Sequence, residues 1–219
     1  MKTISLTIDG KTIRAREGDM LLWAALENGI HIPNLCAIRE APHPAAACRL
    51  CFVEIEGRDA PVTSCTEPVR EGMVVNTHGP WARRLARTAL ELLLASHPVD
   101  CGHCPKNKSC ELQRIAAFLG VKLKTRRLRK LVPDLTVDDS SPVFTHNPNK
   151  CVLCGRCVWV CRDRLGIGAI GFARRGFERS VTTFADVPIA ESRCKGCGEC
   201  VAVCPVGALV YKQRPAFCY

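Results

Sequence analysis

The sequence predicts an α+β fold built in consecutive parts. Three observations predict it: apolar and polar residues alternate at the N terminus, two stretches near the middle carry helical periodicity, and the last third repeats a cysteine-rich pattern. Ile4, Leu6 and Ile8 alternate, Asp9-Gly10 is a two-residue hairpin signal, and Ile13 with Ala15 resumes the alternation, so the chain opens with a β-hairpin. Asp19 to Asn28 carries apolar residues on one helical face and stops at Gly29, a C-cap signal. Ile30 to Cys51, with Pro33, Pro42 and Pro44, reads as a loop able to wrap closely around a bound group. Short strands are expected at Phe52 to Glu56 and near Met73 to Asn76, completing a first domain over residues 1–79.

Pro80 opens an amphipathic helix with Leu85 and Leu92 on its apolar face and Arg83, Arg84 and Arg87 on the other; it ends before His97-Pro98. Ser109 to Leu119 forms another helix, closed by Gly120. Residues 80–120 are thus a helical segment, 121–140 a basic linker beginning with the KLKTRRLRK run at 122–130, and 141–219 the last domain. There, Gly168-Ala169-Ile170 after one cysteine run answers Gly207-Ala208-Leu209 after another, an internal repeat of ligand loop, short helix and strand. The first copy has four extra residues between its last cysteine and that glycine, and has Arg162 where the second has Pro205.

Fifteen of the 16 cysteines fall into groups. Cys151, Cys154, Cys157, Cys161 and Cys194, Cys197, Cys200, Cys204 each follow C-x2-C-x2-C-x3-C, the spacing of two-cluster bacterial ferredoxins. Three cysteines at i, i+3 and i+6 form three corners of a cubane, and the distant fourth belongs to the other run. One [4Fe–4S] cluster is therefore assigned to Cys151, Cys154, Cys157 and Cys204, and another to Cys161, Cys194, Cys197 and Cys200. Zinc sites pair two C-x2-C knuckles and fit this run poorly. Cys36, Cys48, Cys51 and Cys65 follow C-x11-C-x2-C-x13-C, which taken alone could equally be structural or zinc-binding. His97, Cys101, Cys104 and Cys110 follow H-x3-C-x2-C-x5-C, although a lone histidine at a helix end is more often a cap than a ligand. Cys218 is left without a role.

Context resolves both. In the order of these motifs, from about residue 1 to 212, the chain resembles the large iron–sulfur subunit of respiratory complex I and the related subunits of NAD(P)-linked, including electron-bifurcating, hydrogenases. The resemblance implies a β-grasp [2Fe–2S] domain with Cys36, Cys48, Cys51 and Cys65 as ligands. It also implies a [4Fe–4S] cluster on His97, Cys101, Cys104 and Cys110, and a C-terminal two-cluster ferredoxin-like domain. The expected cofactors are one [2Fe–2S] and three [4Fe–4S] clusters. Some diaphorase subunits keep fewer cysteines in the last domain, so the complete set is closer to multimeric hydrogenase subunits. His103, between two ligands, is expected beside the site or exposed.

The formal charge of +10 suggests nucleic acid or membrane until cluster charge is counted. Three all-cysteine clusters at about −2 and one histidine-containing cluster at about −1 bring the total to roughly +3. Neither nucleic acid nor a membrane span is expected, since no apolar stretch approaches the roughly 18 residues a span requires. Sixteen cysteines would suit a secreted disulfide scaffold, but MKTISLTIDGKTI lacks an apolar signal region and already alternates like a strand, so a reducing cytoplasm fits better. The sequence also has no G-x-G-x-x-G placed after a strand and no evident flavin motif, and it ends at Tyr219 without a catalytic domain, so nucleotide and substrate chemistry are expected on partners. Those partners are a flavin- and NAD(P)-binding iron–sulfur subunit and a hydrogenase catalytic subunit, with formate dehydrogenase or a free polyferredoxin shuttle as the alternatives.

Overall fold

The computed structural model describes residues 2–124 and 127–213. Cys218 lies outside them, as do two residues of the basic run. The chain divides into two compact units, Met1–Leu92 with Ile115–Val121, and Leu93–Arg114 with Lys122–Tyr219.

The first unit begins with the expected hairpin, β1 (Thr3–Ile8) and β2 (Lys11–Arg16), in a register pairing Leu6 with Ile13 and Ile8 with Lys11. Asp9 and Gly10 both have positive φ, the geometry that matches a two-residue turn to the strand twist. Helix α1 (Leu21–Glu27) follows, then β3 (Phe52–Ile55), β4 (Val62–Thr63) and β5 (Val74–Asn76). The five strands form one mixed sheet in the order β2-β1-β5-β3-β4, with β1 and β5 parallel and the remaining pairs antiparallel. Alternation in β1 sends Ile4, Leu6 and Ile8 into a core shared with Leu21 and Leu22 of α1. Burying each such side chain contributes about 1.5–3 kcal/mol.

No side chain caps the start of α1. Instead the Leu21 and Leu22 amides donate to the carbonyls of Glu67 and Ser64 at 2.8 and 2.9 Å, satisfying two orphan donors of the first turn. The helix therefore fixes the segment that carries Cys65. Gly29, at φ +75°, ends it in the left-handed conformation expected of a C-cap glycine.

Helix α2 (Pro80–Ala95) buries Ala82, Ala86, Leu90 and Leu94. Leu92, expected on that face, is 57% exposed; the buried stripe runs along the alanines, with Arg83 and Arg84 opposite. Helix α3 (Glu111–Leu119) begins two residues later than its expected start and ends at Gly120, at φ +64°.

The second unit contains two small antiparallel ladders, β6 (Phe144–His146) with β9 (Leu209–Tyr211), and β7 (Ile170–Ala173) with β8 (Ser180–Thr183). Two short helices, α4 (Arg156–Trp159) and α5 (Glu199–Ala202), occupy equivalent places in the repeat. Each follows a left-handed glycine, Gly155 and Gly198. The extra residues of the first copy are absorbed by a π-helical turn, Val160–Arg164, after which the Ile167 and Gly168 amides both donate to the Cys161 carbonyl. The Pro-, Asp- and Ser-rich segment before β6 is pinned. Asn149 exchanges two 2.7 Å hydrogen bonds with the Leu135 backbone, and Asp138 Oδ2 accepts from the Ile189 amide at 2.8 Å. No helix among the described residues is long and apolar enough to cross a membrane.

Candidate metal centres

All fifteen described cysteines are free thiols, and most are buried. Cys36 and Cys48 stand on the long loop after α1, Cys51 immediately before β3, and Cys65 in the turn held by the α1 amides. The structure brings the four together. Cys36 donates to Cys48 and Cys65 is hydrogen-bonded to Cys51, so Cys36 and Cys65 are raised far above an ordinary thiol by those bonds and by burial. Cys48 is lowered to about 6 by the Cys36 bond, and Cys51 is lowered by the Cys65 bond. The Cys48 amide lies 3.4 Å from Cys36 Sγ, and the nearness of Ser64 to Cys51 favours its thiolate.

The second group lies wholly in the second unit. Cys101 and Cys104 raise Cys110 electrostatically, after burial, so these three sulfurs are neighbours. His97 follows α2 by two residues. Burial, then Lys150 and Lys130, pushes its imidazole down to about 4, which keeps it neutral with a lone pair available near pH 7. The Lys150 backbone lies beside its ring, and the Lys150 side chain passes within reach of Gly207, against which Cys104 Sγ also packs. His103 is 88% exposed and bonds Asp100 through Nδ1 at 2.9 Å, away from any ligand role.

In the closing repeat the sulfurs sort across the two runs. Cys151, Cys154, Cys157 and Cys204 line one cavity with His146, Val181 and Val206, while Cys161, Cys194, Cys197 and Cys200 line another with Phe144, Ile167 and Ala169. Each run thus contributes its fourth cysteine to the other's cavity. Burial is the largest cause of the raised thiols here: Cys151 to about 11, Cys154 and Cys200 to about 12, and Cys157 well above its ordinary value. Backbone amides approach the sulfurs, Leu153 to Cys151 at 3.4 Å, Ala169 to Cys161 at 3.3 Å and Gly196 to Cys194 at 3.5 Å. Leu153 and Gly196 hold the same place in the repeat with φ of +52° and +66°, a conformation that costs a non-glycine residue about 1–2 kcal/mol. Sequence reasoning missed His146 and Val181 because β6 and β8 bring them in from outside the cysteine spacing.

Whether these residues fit iron–sulfur clusters can be tested on their chemistry. Among the described residues no three His, Cys, Asp or Glu side chains converge as ligands of a single ion; the closing cysteines stand around cavities instead. The buried side-chain polar atoms left without a hydrogen-bond partner among the described residues are Ser64 Oγ, next to Cys65 of the first group, and His97 Nδ1 of the second. A buried polar atom without a partner is costly, and an iron–sulfur cluster would supply sulfur to accept from the Ser64 hydroxyl and iron to take the His97 lone pair. The donor set and its surroundings therefore fit such clusters.

Comparisons with known proteins agree in order and position. Residues 1–80 match the model of a 2Fe-2S iron-sulfur cluster binding domain, 87–124 the NADH-ubiquinone oxidoreductase-G iron-sulfur binding region, and 150–208 a 4Fe-4S dicluster domain. The fold and its sites therefore define an iron–sulfur protein with both [2Fe–2S] and [4Fe–4S] binding domains. The NADP-reducing hydrogenase subunit HndD of Solidesulfovibrio fructosivorans is 38% identical over 96% of this chain and 36% of its own length. A subunit of the NADH-quinone oxidoreductase of Rhizobium meliloti is 38% identical over 97% of this chain and 25% of its own length. A chain from the crystal structure of NAD+-reducing [NiFe]-hydrogenase in the H2-reduced state superimposes with a TM-score of 0.85 at 30% identity, over 98% of this chain and 89% of that one. The chain belongs to the family of iron–sulfur subunits shared by NADH-quinone oxidoreductases and NAD(P)-linked hydrogenases. It spans about a third or less of the length of these two curated relatives.

Proposed function

We propose that this chain is an electron-transfer subunit that relays single electrons between a flavin- and NAD(P)-binding iron–sulfur subunit and a hydrogenase catalytic subunit. In this reading residues 1–79 are a β-grasp [2Fe–2S] domain, 80–120 a His-ligated [4Fe–4S] segment, 121–140 a basic linker, and 141–219 a two-cluster ferredoxin-like domain. Cys36, Cys48, Cys51 and Cys65 hold the [2Fe–2S] cluster. Three [4Fe–4S] clusters are held by His97 with Cys101, Cys104 and Cys110, by Cys151, Cys154, Cys157 and Cys204, and by Cys161, Cys194, Cys197 and Cys200.

The carrying observation is the sorting of the eight closing cysteines into two cavities with exchanged fourth members. Neutral His97, held uncharged by burial and two lysines, supports the second set. Each bound cluster supplies one-electron redox chemistry. The residues of the chain do the rest: buried thiolates hold the iron, apolar neighbours such as Val181 and Ile167 exclude water, and backbone amides aimed at sulfur stabilise negative charge. The hydrogenase assignment is favoured by the NAD+-reducing [NiFe]-hydrogenase chain, which this chain covers almost end to end.

Anaerobically purified protein should contain about fourteen irons and as many acid-labile sulfides per chain. In native extract it should co-migrate with flavin and nickel. Zinc without sulfide would overturn the cluster reading, and migration as a free species near 24.0 kDa would overturn the subunit role.

A further inference from the structure

Two contacts tie the His97 group to the Cys151 group. The amide of Glu111, the residue after Cys110, donates to the carbonyl of Pro205, the residue after Cys204, at 3.0 Å. At Gly207 the second contact is closer still. A Cβ there would stand 2.7 Å from Cys104 Sγ, a separation real Cβ atoms essentially never show.

Gly207 has an internal counterpart in the repeat, Gly168. That residue has φ +64° and nothing within 4 Å of its would-be Cβ, so its conformation is what favours glycine. Gly207 is the reverse: its φ lies outside the left-handed region, and what it lacks is room. The two copies therefore keep the same residue for different physical reasons. Of the two glycines only Gly207 presses against a cysteine of another group, and only the second copy has Pro205, whose carbonyl receives Glu111, where the first has Arg162.

We propose that Gly207 is a positioning residue of an electron-transfer junction, setting the approach between the cluster of His97, Cys101, Cys104 and Cys110 and that of Cys151, Cys154, Cys157 and Cys204. The inference rests on the ligand sets proposed above. One electron crosses the junction per event: the donor core is oxidised by one unit, the acceptor core is reduced by one, no bond forms or breaks and no proton moves. The missing side chain keeps the Cys104 thiolate against the backbone three residues from Cys204, and the Glu111–Pro205 hydrogen bond fixes that distance.

The experiment uses anaerobically purified, fully loaded chain, whose iron and sulfide content first checks the ligand sets independently of the junction. On complete reduction, the electron paramagnetic resonance signal of the His97-containing cluster should be split by its neighbour. In Gly207→Ala, Cys104 Sγ must retreat to ordinary contact beyond 3.4 Å. With iron content unchanged, that splitting should weaken and the midpoint potential of the same cluster should move, while the [2Fe–2S] signal stays as it was. Gly168→Ala should leave the splitting intact. An unsplit wild-type signal, a fully loaded Gly207→Ala protein with unaltered splitting and potential, or an equal change in Gly168→Ala would each overturn the proposal. Loss of iron confined to the His97-containing set in Gly207→Ala, with Gly168→Ala fully loaded, would support the same contact, and loss spread evenly over all the sets would overturn it.

Discussion

Glu54 couples the sheet of the first unit to the start of α2, and the strength of that coupling can be worked out. Its Oε1 accepts from the Trp81 and Ala82 amides at 2.8 and 2.9 Å, and a Cβ on Gly79 would collide with the same carboxylate. These amides belong to the first helical turn, which has no intrahelical acceptors, so a strand residue caps the helix. Hydrogen bonds to charged groups contribute about 1.5–3 kcal/mol, and a carboxylate at a helix N-terminus about 0.3–1 kcal/mol more. Because the Trp81 contact is exposed, the lower values apply, and Glu54→Ala should free the first turn by about 2 kcal/mol. At about 1.4 kcal/mol per tenfold, the Trp81 and Ala82 amides should exchange with solvent on the order of thirtyfold faster. Glu54→Gln keeps an acceptor and loses only the charge, so acceleration should stay within about fivefold. Hydrogen-exchange mass spectrometry of a peptide covering residues 80–84 reads both. Unchanged exchange in Glu54→Ala would refute the capping argument.

The other expectations concern the metal centres. His97→Cys adds a negative charge to its set and should retain a cluster at a lower midpoint potential; a titration showing no shift would remove His97 from the ligands. Cys161→Ser should extinguish the cluster of Cys194, Cys197 and Cys200 while sparing that of Cys151, and loss of the Cys151 cluster instead would refute the exchange. Burial raises Cys151 to about 11 and Cys154 and Cys200 to about 12, so the cluster-free chain holds these protons at neutral pH. Groups raised in the folded state stabilise it at lower pH, and this contribution is lost as pH climbs from the ordinary thiol value toward 11–12. Cluster insertion has the opposite sign because it displaces protons, so reconstitution yield should rise between about pH 7 and 9. A yield independent of pH in that range would contradict the thiol assignments.

Local signals made the first unit legible. Asp9-Gly10 names its turn, and Gly29 ends α1 where the periodicity stops. Strand β4, only Val62–Thr63, carries no pattern of its own and exists through pairing with Phe52 and Val53. Leu92 misled for a related reason: the helical face is chosen by close packing, and Ala82, Ala86 and Leu90 fit where Leu92 does not. Cysteine spacing foretold which sulfurs would share a cavity in the closing repeat. It could not foretell His146 or Val181, which reach the Cys151 cavity through ladders between distant segments. Nor could it foretell Gly207, since glycine in both copies of the repeat conceals two causes.

Under the proposed ligand sets, the exchanged fourth cysteines also set a timetable for biosynthesis. The set that begins with Cys151 is opened first as the chain leaves the ribosome, yet it waits for Cys204. The set that begins with Cys161 closes at Cys200, four residues earlier, so the group started second is the first that can be finished. Until then the thiols of the repeat stand in an unfinished chain, and a ribosome stalled between Cys161 and Cys194 would leave four of its sulfurs, with neither set complete, open to oxidants.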